Sequence, residues 1–151
     1  MKKQFYLLVL ALMPLCFTAC GGSDDDEETG VSGIDALYGT WQMTNGAAFE
    51  DGAFHHERSI DADEAEYVRF DKSGTCYVRE GNHGMLRHNG NYNFTFNQES
   101  KVLTIGSDSF VVDVLGANTL KLKYYWSSSR PDDYNYATYK KVSDSVWDTM
   151  K

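Results

Sequence analysis

Few side chains in this sequence have the types and the spacing that chemistry on a substrate requires. Three consecutive serines, 127–129, stand near Asp132 and Asp133, but no Gly-x-Ser-x-Gly motif presents a serine nucleophile. The acidic stretch 61–66 lacks the Asp-x-Asp-x-Asp-Gly pattern of a calcium loop. Because no nucleophile, base and orienting group can be recognised together, we expect a protein that is not an enzyme and that uses no cofactor.

The four histidines do not have the spacing of a metal site. Two of them are adjacent, and adjacent side chains of a strand point to opposite faces of a sheet. The other two belong to one predicted loop, with no carboxylate at a useful spacing. We therefore expect no metal ion and interpret these residues as exposed loop histidines: His55, His56, His83 and His88.

The N-terminal residues are the most informative part of the chain. Lys2 and Lys3 precede an apolar run over residues 5–15, and small residues follow this run before Cys20. The run is too short for a spanning helix, which needs about 20 residues. A basic start, a short apolar stretch and small residues before a cleavage site are typical of a secretory signal peptide, here residues 1–19.

The sequence Phe-Thr-Ala-Cys at residues 17–20 resembles the lipobox of bacterial lipoproteins. The resemblance implies cleavage before Cys20, acylation of Cys20 (palmitate being one such acyl group) and firm attachment to a membrane. The acidic run that follows is also expected to be a solvated tether, over 20–36, because like charges repel. This run resembles the export signal of surface lipoproteins in Bacteroidetes-type bacteria, which implies display on the outer membrane, facing the exterior, through Ser23, Asp24, Asp25, Asp26 and Glu27.

The composition of the mature chain narrows the class of partner. Removal of the first 19 residues takes away two of the 14 basic residues and none of the 22 acidic ones, which leaves a net charge of −10. Such a balance disfavours nucleic acid, whose phosphates require a basic surface. Only Cys76 remains besides the lipidated cysteine, so no intramolecular disulfide is expected, and we interpret Cys76 as a small buried residue. The length suits one domain, which we expect to be monomeric.

The remainder of the chain has the pattern of short strands. Aromatic and β-branched residues alternate with polar ones, and turn residues separate the runs by two to five positions, as in hairpins. Two longer connections are predicted, 45–65 and 81–89, and the tail 144–151 has the spacing for one helical turn. The eight predicted strands are 39–44, 66–71, 75–80, 90–97, 101–105, 109–115, 119–126 and 134–142.

Consecutive strands joined by hairpins are antiparallel neighbours, and eight of them can close into an up-and-down barrel without free edges. The predicted fold class is therefore all-β, with an eight-stranded antiparallel barrel over 37–143. A sandwich of two sheets shows similar hairpin spacing and remains the alternative.

The Gly-x-Trp sequence at residues 39–41 resembles the start of the first strand in lipocalins. The stretches 67–75 and 90–93 are similar to the lipocalin-like domains of Bacteroidetes lipoproteins, and the resemblance implies a lipocalin-like barrel. A large ring at the closed end fills the taper of a barrel, so Trp41 is interpreted as a structural plug. Lipocalins place an arginine over this ring; here Lys140 or Lys141 would have to take that role through a cation–π contact.

Two functions remain open at this point. In the first, the barrel binds a small apolar or amphipathic ligand at its open end, where barrels commonly hold ligands, and the long connection 45–65 caps the site. In the second, the protein's own aromatic side chains fill the barrel, and the loops around 126–136 bind a protein or a glycan. The candidate ligand-binding residues are Phe49, Phe54, Tyr77, Tyr92, Phe94, Tyr124, Trp126 and Tyr136.

Overall fold

The computed structural model describes residues 32–79, 81–86 and 88–150. The signal peptide, the acylated Cys20 and the export signal predicted above fall outside the described residues. The described elements are a short 3-10 helix Ile34–Ala36, the strands β1 Gly39–Glu50, β2 Ala53–Ser59, β3 Tyr67–Phe70, β4 Thr75–Arg79, β5 Gly90–Asn97, β6 Val102–Ile105, β7 Asp108–Leu115, β8 Thr119–Tyr125 and β9 Tyr134–Val142, and the helix α1 Asp144–Thr149.

All nine described strands belong to one antiparallel sheet that closes into a ring. From β3 to β9 each strand pairs with the next along the chain, and β1 pairs with both β3 and β9. The ring therefore runs β1-β3-β4-β5-β6-β7-β8-β9 and back to β1. Hairpin connections dictate this order, because each short turn leaves two successive strands side by side.

The predicted count of eight strands is corrected to nine, because the connection 45–65 is largely a hairpin. β1 continues to Glu50 and turns at Asp51 and Gly52, whose φ angles are 51° and 72°. Two successive positive φ angles are those of a tight type I′ hairpin turn, for which Asp-Gly is a preferred sequence. The returning strand β2 lies along the same edge of β1 as β3, and residues 60–66 separate the two.

Odd-numbered residues face the interior in the first half of β1, whereas even-numbered residues face it in the second half. Trp41 and Met43 are buried, and a bulge between Met43 and Asn45 then shifts the pairing with β9 by one residue. A bulge of one residue exchanges the faces of every side chain beyond it. As a consequence Phe49, which has the same parity as Trp41, lies on the outer side of the sheet.

The core lies inside the ring and consists of the inward side chains of every ring strand. Alternation is clearest in β8, where Leu120 and Leu122 are buried and Lys121 and Lys123 are not. As predicted, Cys76 is buried in this core. The predicted helical turn in the tail is also present, as α1, with the Ser143 hydroxyl accepting a hydrogen bond from the Ser145 N–H.

Candidate functional site

The eight aromatic residues predicted to line one opening do not lie together. The structure divides them between the outer side of the sheet, the buried core and the end of the ring opposite Trp41, which we call the far end. On the outer side, one group consists of Phe49, Phe54 and Tyr136, and Tyr77 lies separately on β4 beside α1. The core contains Phe94, and the far end contains Tyr92 and Tyr124. The last of the eight, Trp126, is exposed after β8.

The interior of the ring is filled by large side chains. Trp41, Phe70, Phe110 and Tyr139 are all at most 2 % exposed. Phe70 also meets Phe94 edge to face, with ring centroids 5.0 Å apart. Close-packed aromatic and aliphatic side chains leave little room for a ligand in a ring of this size. The described side chains therefore fill most of the interior of the ring.

Trp41 closes one end of the ring. Its indole N–H donates to the Leu37 carbonyl at 2.7 Å, and the Lys141 ammonium lies 5.0 Å from the ring centroid. The predicted cation–π contact is thus confirmed for Lys141. This ammonium also donates to the Ala36 carbonyl at 2.9 Å. Burial lowers the pKa of Lys141, and the nearby Asp144 carboxylate opposes that effect.

A buried carboxylate holds the segment 81–86 against the ring. Glu66 is fully buried; its carboxylate accepts the Tyr139 hydroxyl at 2.7 Å and the Leu86 N–H at 2.8 Å. A Cβ at Gly84 would lie only 2.5 Å from this carboxylate, so the segment packs too closely for any side chain there. Burial raises the pKa of Tyr139 and of Cys76, and the Glu66 charge adds to both shifts. These contacts position the segment and stabilise the fold.

The far end retains a shallow cavity of about 260 Å³. It lies between Leu86, Tyr92, Ile105 and Tyr124, and the Tyr124 ring packs against the buried Phe110 ring with centroids 5.6 Å apart. The Tyr92 hydroxyl donates to the His88 carbonyl at 3.1 Å. This volume lies just below the range of about 300–1,000 Å³ that is usual for ligand pockets.

The largest group of accessible aromatic side chains is on the outer side of β1, β2, β8 and β9, and we call it the aromatic face. Phe49 stacks on Tyr134 with centroids 4.7 Å apart and an angle of 15° between the rings. Phe54 is 56 % exposed and meets Phe49 edge to face at 5.6 Å. The aromatic face consists of Phe49, Phe54, Tyr125, Tyr134 and Tyr136.

A lysine and an aspartate organise the middle of the aromatic face. The Lys123 ammonium lies 5.4 Å from the ring of Tyr134 and 4.9 Å from that of Tyr136. The Asp113 carboxylate lies 3.4 Å from that ammonium and also accepts a hydrogen bond from the Tyr136 hydroxyl. Partial burial acts to raise the pKa of Asp113, but the Tyr136 hydrogen bond and the Lys123 charge together lower it. Burial and the bond to Asp113 raise the pKa of Tyr136.

The hairpin of β1 and β2 is held in place from its tip. The Asp133 carboxylate, 4 % exposed, accepts the Asp51 N–H at 2.8 Å and lies 2.6 Å from Nε of Arg130. The Gly52 N–H donates to the Asp132 carbonyl at 3.1 Å. Because these contacts join the hairpin turn to the β8–β9 connection, they keep Phe49 and Phe54 beside Tyr134 and Tyr136. The aromatic side chains are therefore preorganised on a fixed part of the sheet.

Sequence reasoning missed the residues that position the aromatic face. They are Lys123, Asp113, Asp133, Tyr125 and Tyr134. The sequence contains a signal for part of this set, because Lys123 and Tyr125 alternate with Leu122 and Tyr124 along β8. The pairing of β8 with β9 then sets Lys123 opposite Tyr136 and Tyr125 opposite Tyr134.

The described residues contain no group of three His, Cys, Asp or Glu side chains that could hold a metal ion. His55 lies 4.0 Å from Glu50, and His83 lies 3.7 Å from Glu64, so each faces a single carboxylate. None of the helices in the described part of the chain is long and apolar enough to cross a membrane.

The chain was compared with protein-family models, with curated proteins and with solved structures, and no match was found in any of the three. The geometry of the chain itself must therefore carry any functional argument.

Proposed function

We propose that this chain is a lipid-anchored surface protein that works as a binding module through its aromatic face. In this proposal the ring is a lipocalin-like barrel that binds a partner through its outer side and loops. The chain is a monomer, and acylation of Cys20 attaches it to the outer membrane. The protein is neither an enzyme nor a carrier of a ligand in its interior. The observation that carries the proposal is the contrast between a filled interior and the preorganised, accessible aromatic face.

Three features support the lipocalin-like form of the ring. Its eight ring strands follow the chain order around the closed sheet, as in an up-and-down barrel. Trp41 plugs one end, and Lys141 lies over its ring at 5.0 Å. The Gly-x-Trp sequence that begins β1 is the one that suggested the resemblance.

The direction of the tether supports display of the aromatic face. The Ser32 N–H donates to the Leu115 carbonyl at 2.7 Å, at the end of β7 that lies near Trp41. Residues of the aromatic face, such as Tyr125 and Tyr134, belong to the opposite ends of their strands. Because Ser32 is bonded at the end of the ring away from the aromatic face, an anchor that precedes Ser32 in the sequence is compatible with an aromatic face that meets a partner.

The chemistry of the aromatic face is that of a protein-binding surface. Tyrosine and phenylalanine rings supply large contact areas at a small cost in side-chain entropy, and aromatic residues are enriched at the centres of interfaces. Exposed aromatic clusters rimmed by charged residues commonly mark such sites. Here Arg130, Asp51 and Glu50 provide the charged rim.

The proposal is tested by locating where small apolar probes bind to the full chain. We would titrate the 15N-labelled protein with p-cresol, which imitates a tyrosine side chain, and with laurate, which imitates an apolar cargo. We expect p-cresol to shift the amide signals of the aromatic face and laurate to leave the signals of core residues such as Phe110 and Leu122 unchanged. Phe54→Ala should weaken p-cresol binding, and Ile34→Ala, an exposed apolar residue near Trp41, should not. Saturable laurate shifts in the core would contradict the proposal.

A further inference from the structure

A second surface, on the opposite side of the ring from the aromatic face, has the construction of a ligand site. An open groove of about 760 Å³ lies on the outer side of β4 and β5, beside α1. This volume is within the range of about 300–1,000 Å³ that is usual for small-molecule sites. We call it the helix-side groove, and its lining includes Asp63, Tyr77, Arg79, Asn91 and Trp147.

One wall of the helix-side groove is fixed by Arg79. Its guanidinium donates to the Trp147 carbonyl at 2.6 Å and also to the Met150 carbonyl. The same group stacks on the Trp147 ring at 4.3 Å, and the Tyr77 ring lies 6.4 Å from Trp147. At the other end of α1, the Thr40 hydroxyl donates to the Asp144 carboxylate at 2.7 Å. Cationic donors at the last carbonyls stabilise a helix end, so the position of Trp147 is well determined.

The rest of the groove offers polar side chains to a ligand. Asn91 is exposed on β5, opposite Tyr77 of β4, and Asp63 is exposed on the segment that leads into β3. In the part of the chain that the structure describes, the side chain of Asn91 makes no hydrogen bond to another residue and the carboxylate of Asp63 forms no ion pair. An amide offers both donors and an acceptor, whereas a carboxylate offers only acceptors.

These groups together match a neutral, hydroxyl-rich ligand. The Asp63 carboxylate would repel an anionic ligand, and the Arg79 guanidinium already donates from one of its nitrogens to the carbonyls of Trp147 and Met150. An apolar ligand would leave Asn91 and Asp63 without partners on desolvation. A sugar has an apolar ring face for Tyr77 and Trp147 and adjacent hydroxyls for an amide and a carboxylate.

We propose that the helix-side groove is a binding site for a neutral oligosaccharide. Asn91 and Asp63 bind its hydroxyl groups, and the side chains of Tyr77 and Trp147 contact the apolar face of one sugar ring. The groove is separate from the aromatic face, so this inference goes beyond the proposed function and does not depend on it.

The experiment is a binding titration of the full chain with defined neutral trisaccharides: maltotriose, cellotriose, xylotriose, mannotriose and chitotriose. Binding is followed by tryptophan fluorescence and by calorimetry. We expect at least one of these sugars to bind with a Kd below about 1 mM. Asn91→Ala should weaken that binding about fivefold, as for the loss of one or two hydrogen bonds.

The matched control is Asn93→Ala, since Asn93 is exposed on the same face of β5, two residues away and outside the groove. This variant should change the Kd by less than about twofold. The proposal is overturned if none of the five sugars binds at about 10 mM, or if both variants change the Kd equally. It is also overturned if Phe54→Ala abolishes binding while Asn91→Ala has no effect, because the sugar would then occupy the aromatic face.

Discussion

Aromatic side chains lie on both sides of this sheet, but their surroundings differ. Inside the ring, Trp41 and Tyr139 are at most 1 % exposed, and their polar atoms are used by Leu37 and Glu66. On the aromatic face, Phe54 is 56 % exposed and packs mainly against Phe49. The inner rings contribute to stability and the outer rings are available to a partner. Aromatic content alone therefore does not indicate a ligand-binding barrel, and the face on which each ring lies decides its role.

The largest effect on stability is expected when a ring of the interior, rather than an exposed ring, is truncated. Trp41→Ala should lower the free energy of unfolding by about 3–5 kcal/mol, because a buried ring is replaced by a cavity. Trp126→Ala, at a residue that is 56 % exposed, should change it by less than about 0.5 kcal/mol. Urea denaturation of both variants provides the test, and equal losses would remove the distinction between buried and exposed rings.

The Asp133 contacts that hold the tip of the β1–β2 hairpin should give the next largest effect on stability. Asp133→Ala leaves the Asp51 N–H and Arg130 without their buried acceptor and should lower the free energy of unfolding by about 1–3 kcal/mol. Asp132→Ala is the matched control, since the side chain of Asp132 is exposed, and should have little effect. Hydrogen exchange should also become faster in β2 for Asp133→Ala. Unchanged hydrogen exchange in β2 would mean that the aromatic face does not depend on the contacts of Asp133.

Acidic pH should reduce the contribution that Asp113, on the aromatic face, makes to the free energy of unfolding. Its pKa is lowered in the folded protein from an ordinary 3.8, so its contribution to stability is complete above that value and is lost as pH falls through the folded pKa. Because the carboxylate is 42 % exposed, solvent screening limits the effect to about 1 kcal/mol or less. The difference in unfolding free energy between wild type and Asp113→Asn should be constant near neutral pH and should shrink below about pH 4. A difference in unfolding free energy that grows on acidification would contradict this prediction.

Among the changes to the aromatic face, the smallest effect on stability is expected for Phe54→Ala. The side chain packs mainly against Phe49, so the free energy of unfolding should fall by about 0.5 kcal/mol, the lower end for an edge-to-face pair. Binding of p-cresol to the aromatic face should nevertheless be weakened. A stability loss near that of Trp41→Ala would show that Phe54 is part of the core.

Alternation and turn residues were sufficient to predict most strands. The predicted and observed bounds of β5 and β9 coincide, and the predicted contact of Lys141 with Trp41 is present. These features are local, or they follow from the order of hairpins. The missed strand β2 also had a local signal, since Asp51-Gly52 is a preferred hairpin turn.

The positions of the candidate site residues could not be predicted in the same way. Phe49 has the parity of Trp41, and only the bulge between Met43 and Asn45 carries it to the outer side. In β9 both faces carry aromatic residues, so hydrophobicity could not tell that Ala137 faces the interior and Tyr136 faces out. That choice depends on the packing of Ala137, opposite Leu122 of β8 and Gly46 of β1, which are distant in sequence.

The central claim is that the interior is closed to ligands, and the reactivity of Cys76 tests it most directly. Its thiol is fully buried in the core, and burial raises its pKa. We would follow the reaction of the full chain with a thiol reagent in native buffer and in urea, with Cys76→Ser to assign the signal. If the interior is closed, Cys76 reacts only through unfolding, so its reaction in native buffer should be slower than in urea by roughly the equilibrium constant of unfolding. Reaction of the folded protein within about tenfold of the unfolded rate would contradict the account, because it would show an interior open to small molecules.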